Sequence, residues 1–191
     1  MNRVATVALG VLMAVGSLAS CSSEDHNDAD VAFATAMVEH HAQAIQMANF
    51  TIGREGLDPR IAELAEEIRV SQTAEIDELA GLLRSWGEDV PETGFATGDS
   101  HSHDDDMADG DHADMPGMMS AAEMEELAGA PDAAFAEQWM QMMIEHHEGA
   151  LAMVDDVQAD GEHEELRDLA GEMESAQRTE IDDLERWLDE A

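Results

Sequence analysis

Apolar residues recur every three or four positions over long stretches of this chain, the spacing of amphipathic helices. Ile61, Leu64, Ile68, Ile76, Leu79, Leu83 and Trp86 form one such stripe, and Leu166, Leu169, Met173, Ile181, Leu184 and Leu188 form another. Asp58-Pro59 ahead of the first stripe is a helix start, a capping residue followed by proline at the first helical position. Gly161 breaks the chain ahead of the second. Ser120-Ala-Ala-Glu123 reads as a capping box that opens a short helix ending before Pro131, and Asp132 starts the next one.

The stripes belong to a longer repeat. MVEHHAQAIQMA, from Met37 to Ala48, matches MIEHHEGALAMV, from Met143 to Val154. Each is followed by a second shared run, Ile61 to Ile68 against Leu166 to Met173, and then by Gln72-Thr-Ala-Glu75-Ile76-Asp77 against Gln177-Arg-Thr-Glu180-Ile181-Asp182. A two-helix unit has been duplicated. One amphipathic hairpin leaves apolar surface exposed, and two hairpins packed together cover it, so the pattern predicts an all-α four-helix bundle. The units run over residues 28–86 and 120–191, the second with its short extra helix. Residues 87–119 are predicted to be a flexible linker, because their core from His101 to Met119 is too charged and too poor in branched apolar residues to pack.

The N-terminus reads as a targeting segment. Arg3 precedes a short apolar run from Val4 to Val15, too short to span a bilayer, and Leu18-Ala19-Ser20-Cys21 is similar to a bacterial lipoprotein box. That reading makes residues 1–20 a signal peptide, Cys21 the lipidated residue and 21–27 a tether. The protein would then sit outside the cytoplasm, touching the membrane only through its lipid. Cys21 is the only cysteine, so no intramolecular disulfide forms.

Charge narrows the partners. The 191 residues carry 45 acidic side chains against eight basic ones, all arginine, for a net charge of -37. Nucleic acid requires basic surface and is excluded as a partner; cations are the natural small ligands. The acidity also fits simple solubility or a salt-rich habitat.

The repeated motif holds the candidate chemistry. At about 100° per residue, Met37, His40, His41 and Met47 share one helix face with Ala44 and Ala48 between them. Met143, His146, His147 and Met153 repeat the arrangement around Ala150, with Trp139 one turn earlier where Phe33 stands in the first unit. Thioethers hold Cu(I) or Ag(I) and bind hard cations poorly, and imidazole suits copper and zinc. Outside the cytoplasm, methionine avoids the disulfide chemistry that removes thiolate ligands. Adjacent histidines diverge by about 100°, so one of each pair is expected to bind while the other packs or serves a neighbouring site. Met and His at helical spacing are also ordinary core residues, and the recurrence of the whole pattern in both units is what favours copper.

Gln72 and Gln177 interrupt apolar stripes, with Glu75 and Glu180 three residues on. If they face inward, the imidazoles of the facing helices are their natural partners, an outer shell around the ligands; the alternative is an edge position facing water. In the linker, His101, His103, Met107, His112, Met115, Met118 and Met119 lie among six aspartates, from Asp104 to Asp114, and read as auxiliary, loosely held metal ligands or as a solvated acidic tether.

Met-x-x-His-His followed by Gln-x-x-Glu-Ile resembles the bacterial family known as domain of unknown function 305. Met115-Pro116-Gly117-Met118 leading to Asp132 and Phe135 resembles the opening of such domains. The resemblance covers about residues 28–86 and 115–188. It implies a ferritin-like helical fold and, from some members, periplasmic copper binding, with the eight Met and His residues of the two motifs as ligands. Glu39 and Glu145, just before the His pairs, depart from the expected pattern and read as surface residues.

The leading function is copper sequestration or delivery, without an organic cofactor; no protein partner is indicated. The alternative is a helical partner-binding or signalling module of the cell envelope. A di-iron oxidase requires Glu three residues before His, and no histidine here has one, so no enzymatic role is expected.

Overall fold

The structure is a computed structural model that describes residues 25–93 and 115–190. The signal segment, Cys21, and His101, His103, Met107 and His112 lie outside the described residues. These comprise five α-helices and no strand: α1 Asp28–Asn49, α2 Pro59–Trp86, α3 Ala121–Gly129, α4 Asp132–Asp160 and α5 Glu164–Glu190. None is long and apolar enough to cross a membrane.

The helix ends follow local chemistry. Asn27 caps α1 by accepting from the Ala29 and Asp30 N–H groups, and the Asp30 carboxylate accepts from the Asn27 N–H in return. Asp58 accepts from Arg60 N–H with Pro59 at the first helical position. Gly87 closes α2 in the left-handed conformation, φ 84°, which costs glycine little. Ser120 and Glu123 form the capping box that opens α3.

The hairpins α1–α2 and α4–α5 meet chiefly through α1 against α4. These two run antiparallel: Trp139, early in α4, donates its indole N–H to the Met47 carbonyl near the end of α1 at 2.9 Å. At the other end, the fully buried Asp30 carboxylate accepts from the Glu162 and His163 N–H groups in the α4–α5 turn. The outer helix α2 meets α5 at one end and the α4–α5 turn at the other. Arg60 bonds Glu190 and lies 5.2 Å from the Trp187 ring centroid. Trp86 meets His163 edge-on at 5.0 Å.

Two apolar clusters fill the interior. Phe33, Met37, Leu79, Leu83, Met153, Leu166 and Met173 belong to one. Met47, Leu64, Ile68, Trp139, Met143 and Leu184 belong to the other, which extends beneath α3. Arg54 fastens α3 by donating to the Ala128 and Ala130 carbonyls at 2.7 and 2.5 Å, with its guanidinium 4.0 Å from the Phe135 centroid.

One segment departs from the expectation of a loose linker ending at residue 119. Residues 115–119 form a strap packed across α1 and α4, with Met119 buried and Met115 and Met118 half-buried. Gln43 clamps it with two bonds to the Met119 backbone, donating to the carbonyl at 2.8 Å and accepting from the N–H at 2.7 Å. Composition predicted solvation there because it says nothing of a backbone-to-backbone fit.

Candidate metal centre

The antiparallel crossing of α1 and α4 brings the two His pairs into one layer. All four imidazoles are at most 1 % exposed. His40 and His146 stack across the interface, ring centroids 3.8 Å apart and tilted by 40°. The divergence of adjacent residues sends the other ring of each pair outward within its own hairpin. His41 Nε2 lies 2.6 Å from Glu75 Oε2 on α2, and His147 Nε2 lies 2.6 Å from Glu180 Oε2 on α5. The His147 contact has hydrogen-bond geometry. The His41 contact is equally short but misaligned, so His41 Nε2 makes no hydrogen bond.

The strap reaches the same layer. The Pro116 carbonyl lies 3.2 Å from His40 Nε2. A carbonyl only accepts, so this contact requires the Nε2–H tautomer of His40 and leaves Nδ1 as a lone pair. Nδ1 of His40, His41, His146 and His147, and Nε2 of His41 and His146, have no hydrogen-bond partner although buried. The His40 carbonyl favours the protonated form of His146 but does not reach hydrogen-bond geometry. Burial above all, with a smaller contribution from the proximity of His41 and His147, pushes the His40 pKa down to about 3. Burial likewise pushes His146 well below its ordinary value. Both rings are therefore neutral at physiological pH, the form that offers a lone pair to a metal.

The methionines do not group by unit. Met37 and Met153 fall in one apolar cluster and Met47 and Met143 in the other. A thioether from each motif thus stands on either side of the histidine layer along the α1–α4 interface. The structure brings the two motifs together at one interface, with a mixed Met pair in each flanking apolar cluster. Among the described residues, no three His, Cys, Asp or Glu side chains are arranged to hold a metal ion by themselves. The imidazoles of this layer and the thioethers beside it are a donor set that fits Cu(I) or Ag(I) and not a hard cation.

Gln72 and Gln177 are buried, with no partner for Oε1. Of the three linker methionines described, only Met119 is buried, facing the apolar cluster around Trp139. Glu145 is exposed and Glu39 half-buried. Pro116, Gln43 and Gly149 were not identified as site residues from the sequence. The signal was nevertheless present: at the fourth position of the His-His-x-x-Ala run the two copies differ, Gln43 against Gly149. Gln43 clamps the strap, and Gly149 receives it so closely that a Cβ would stand 2.1 Å from the Pro116 oxygen.

Duplicated helical hairpins sharing a buried histidine layer, edged by thioethers, define an all-helical protein. The chain belongs to the DUF305 family, the domain of unknown function whose family model matches residues 30–188. A DUF305 fragment from Deinococcus radiodurans is similar in structure, with 29% identity, a TM-score of 0.71, and coverage of 86% of this chain and 98% of that one. A DUF305 protein from Streptomyces coelicolor assigned as secreted is similar at 25% identity and TM-score 0.70, covering 85% and 93% of the two chains. CopM in its Cu(II)-bound form shares the fold at 24% identity and TM-score 0.66, covering 84% and 96%. CopM has also been solved bound to Cu(I) and to silver. No curated protein matches the chain.

Proposed function

We propose that this protein is an extracytoplasmic lipoprotein that binds copper, as Cu(I) with Ag(I) as its chemical mimic, for sequestration or delivery. The observation that carries the proposal is the set of unpartnered imidazole nitrogens buried at the α1–α4 interface. A buried polar group without a partner costs about 1–3 kcal/mol, and a bound ion offsets several such costs at once. His40, His41, His146 and His147 are the nitrogen donors, and Met37, Met47, Met143 and Met153 the sulfur donors. Glu75 and Glu180 support His41 and His147 from behind. Copper supplies only a coordination centre here, and no catalytic step is assigned.

CopM, of similar fold, binds Cu(I), Cu(II) and silver, which supports the same ligand class for this chain. The four long helices are taken as a ferritin-like four-helix bundle, in keeping with the contacts of α1 with α2 and α4, and of α5 with α2 and α4. Localisation rests on the signal-like segment and Cys21, supported by the assignment of the Streptomyces relative as secreted. The His101 to His112 tract would act as an auxiliary, fast-exchanging collector.

The test is a Cu(I) competition titration on residues 22–191 against a chromophoric chelator. Binding should survive replacement of the tract's ligands His101, His103, Met107 and His112. It should fall when Met37, Met47, Met143 and Met153 become leucine, and be lost when the four buried histidines become asparagine in a protein that still folds. Binding that disappears with the tract alone would overturn the proposal in favour of a partner-binding helical module.

A further inference from the structure

We propose that Glu75 and Glu180 are positioning residues that hold His41 and His147 as Nε2–H tautomers, so that Nδ1 is the atom each presents to the buried layer. This rests on the metal reading above for its purpose, but not for its geometry. Each carboxylate lies 2.6 Å from an Nε2, and each is itself mostly buried, 18% and 15% exposed. At His147 the contact has hydrogen-bond geometry, so the carboxylate accepts and the proton lies on Nε2, and the equally short approach of Glu75 to His41 favours the same tautomer there. On the far side of both rings Nδ1 is buried and unpartnered. A full imidazolium would carry a second N–H into that space with nothing to receive it, and burying an unpaired charged donor is far worse than burying a lone pair. The neutral Nε2–H tautomer leaves the lone pair on Nδ1, facing inward.

The duplication strengthens the assignment. Glu75 and Glu180 occupy equivalent positions on α2 and α5 and approach equivalent histidines at the same 2.6 Å distance, with hydrogen-bond alignment at His147 only. His40 reaches the same tautomer by another route, through the Pro116 carbonyl. Two of the four rings, His40 and His147, are therefore hydrogen-bonded at Nε2, while His41 is approached there by Glu75 without hydrogen-bond alignment and His146 has neither nitrogen held. A carboxylate behind a ligating imidazole fixes its orientation and raises its basicity, and removing one commonly weakens metal binding about 10- to 100-fold. Here the carboxylates also place two negative charges near a site that would receive a cation.

Long-range ¹H–¹⁵N spectra of the metal-free protein, residues 22–191 with labelled histidine, read the tautomers directly. His41 and His147 should show a protonated Nε2 and a bare Nδ1 at pH 7. The E75A/E180A variant should lose that bias, and E75Q/E180Q, whose amide oxygen still accepts, should restore it. On addition of Ag(I) to the parent, Nδ1 should shift while Nε2 stays protonated, and the Ala variant should bind Ag(I) about 10- to 100-fold more weakly. Imidazolium or Nδ1–H signals in the parent would overturn the assignment. So would unchanged Ag(I) affinity in a folded Ala variant that has lost the tautomer. Nε2–H signals in a parent that binds no Ag(I) would instead overturn the metal reading, and the ligand role with it. Single Ala variants repeat the test in one half if the double variant does not fold.

Discussion

Replacing Gly149 with alanine should unseat the strap. The new Cβ would lie 2.1 Å from the Pro116 oxygen, 2.4 Å from its carbonyl carbon and 2.5 Å from Gly117 Cα. All three are backbone atoms, so no side-chain rotation relieves the overlap. If the strap stays, it must move by more than an ångström, at the upper end of the 1–3 kcal/mol that overpacking costs. If it lifts, the two Gln43–Met119 bonds go, at about 1 kcal/mol each. The burial of Met119 is lost as well, about 1.5–3 kcal/mol, partly offset by the entropy the freed residues regain. Both routes lead to about 3 kcal/mol, a fall in Tm of roughly 6–12 °C for a protein of this size. Thermal unfolding followed by circular dichroism measures it. Gly171→Ala is the control, since its Cβ would meet nothing nearer than Gln158 Nε2 at 3.8 Å. In the middle of α5 that change should be neutral or stabilise by up to about 1 kcal/mol. A Gly149→Ala protein melting within about 2 °C of the parent would refute the packing argument.

Two further predictions concern charge. His40, with its pKa lowered to about 3, and His146, also lowered, take up protons more readily when unfolded. Their contribution to stability is present above pH 6.5 and is lost as pH falls toward the folded values, by up to about 1.4 kcal/mol per pH unit for each ring. Urea unfolding between pH 5 and 7.5 should show this slope, and it should flatten in H40N/H146N. Arg54→Ala should cost about 2 kcal/mol, because it releases the α3 carbonyls and the Phe135 face from a guanidinium only 16% exposed. Arg60→Ala, at a solvent-exposed pair with Glu190, should cost much less than Arg54→Ala; equal costs would show that α3 is not held by Arg54.

Much of this architecture is legible in the sequence because it is local. Stripes such as Ile61 to Leu83, the Asp58-Pro59 start, the Ser120 capping box and the repeat itself are each readable within a few turns of chain. The convergence of motif histidines and helix-two glutamates follows from the inward face of each hairpin. What was not legible depends on how one hairpin lies against the other. The antiparallel crossing of α1 and α4 decides that His40 meets His146, and that Met37 associates with Met153 rather than with Met47. Helical periodicity within one unit carries no information about that register. The strap was hidden for a different reason. Its fit is made by backbone against backbone at Pro116, Gly117 and Gly149, where side-chain character is nearly silent.

The position of the strap bears on why the two units share one chain. It lies between equivalent points of the repeat, touching Gln43 and His40 on one side and Gly149 and His146 on the other. These points straddle the approximate two-fold axis that relates the hairpins. An object seated on a two-fold axis can be present only once, so a homodimer of single units could not reproduce it: the second copy would occupy the same space. Tandem fusion removes that constraint. One linker can then close one face of the interface, and Gln43 and Gly149 can diverge to receive its opposite edges.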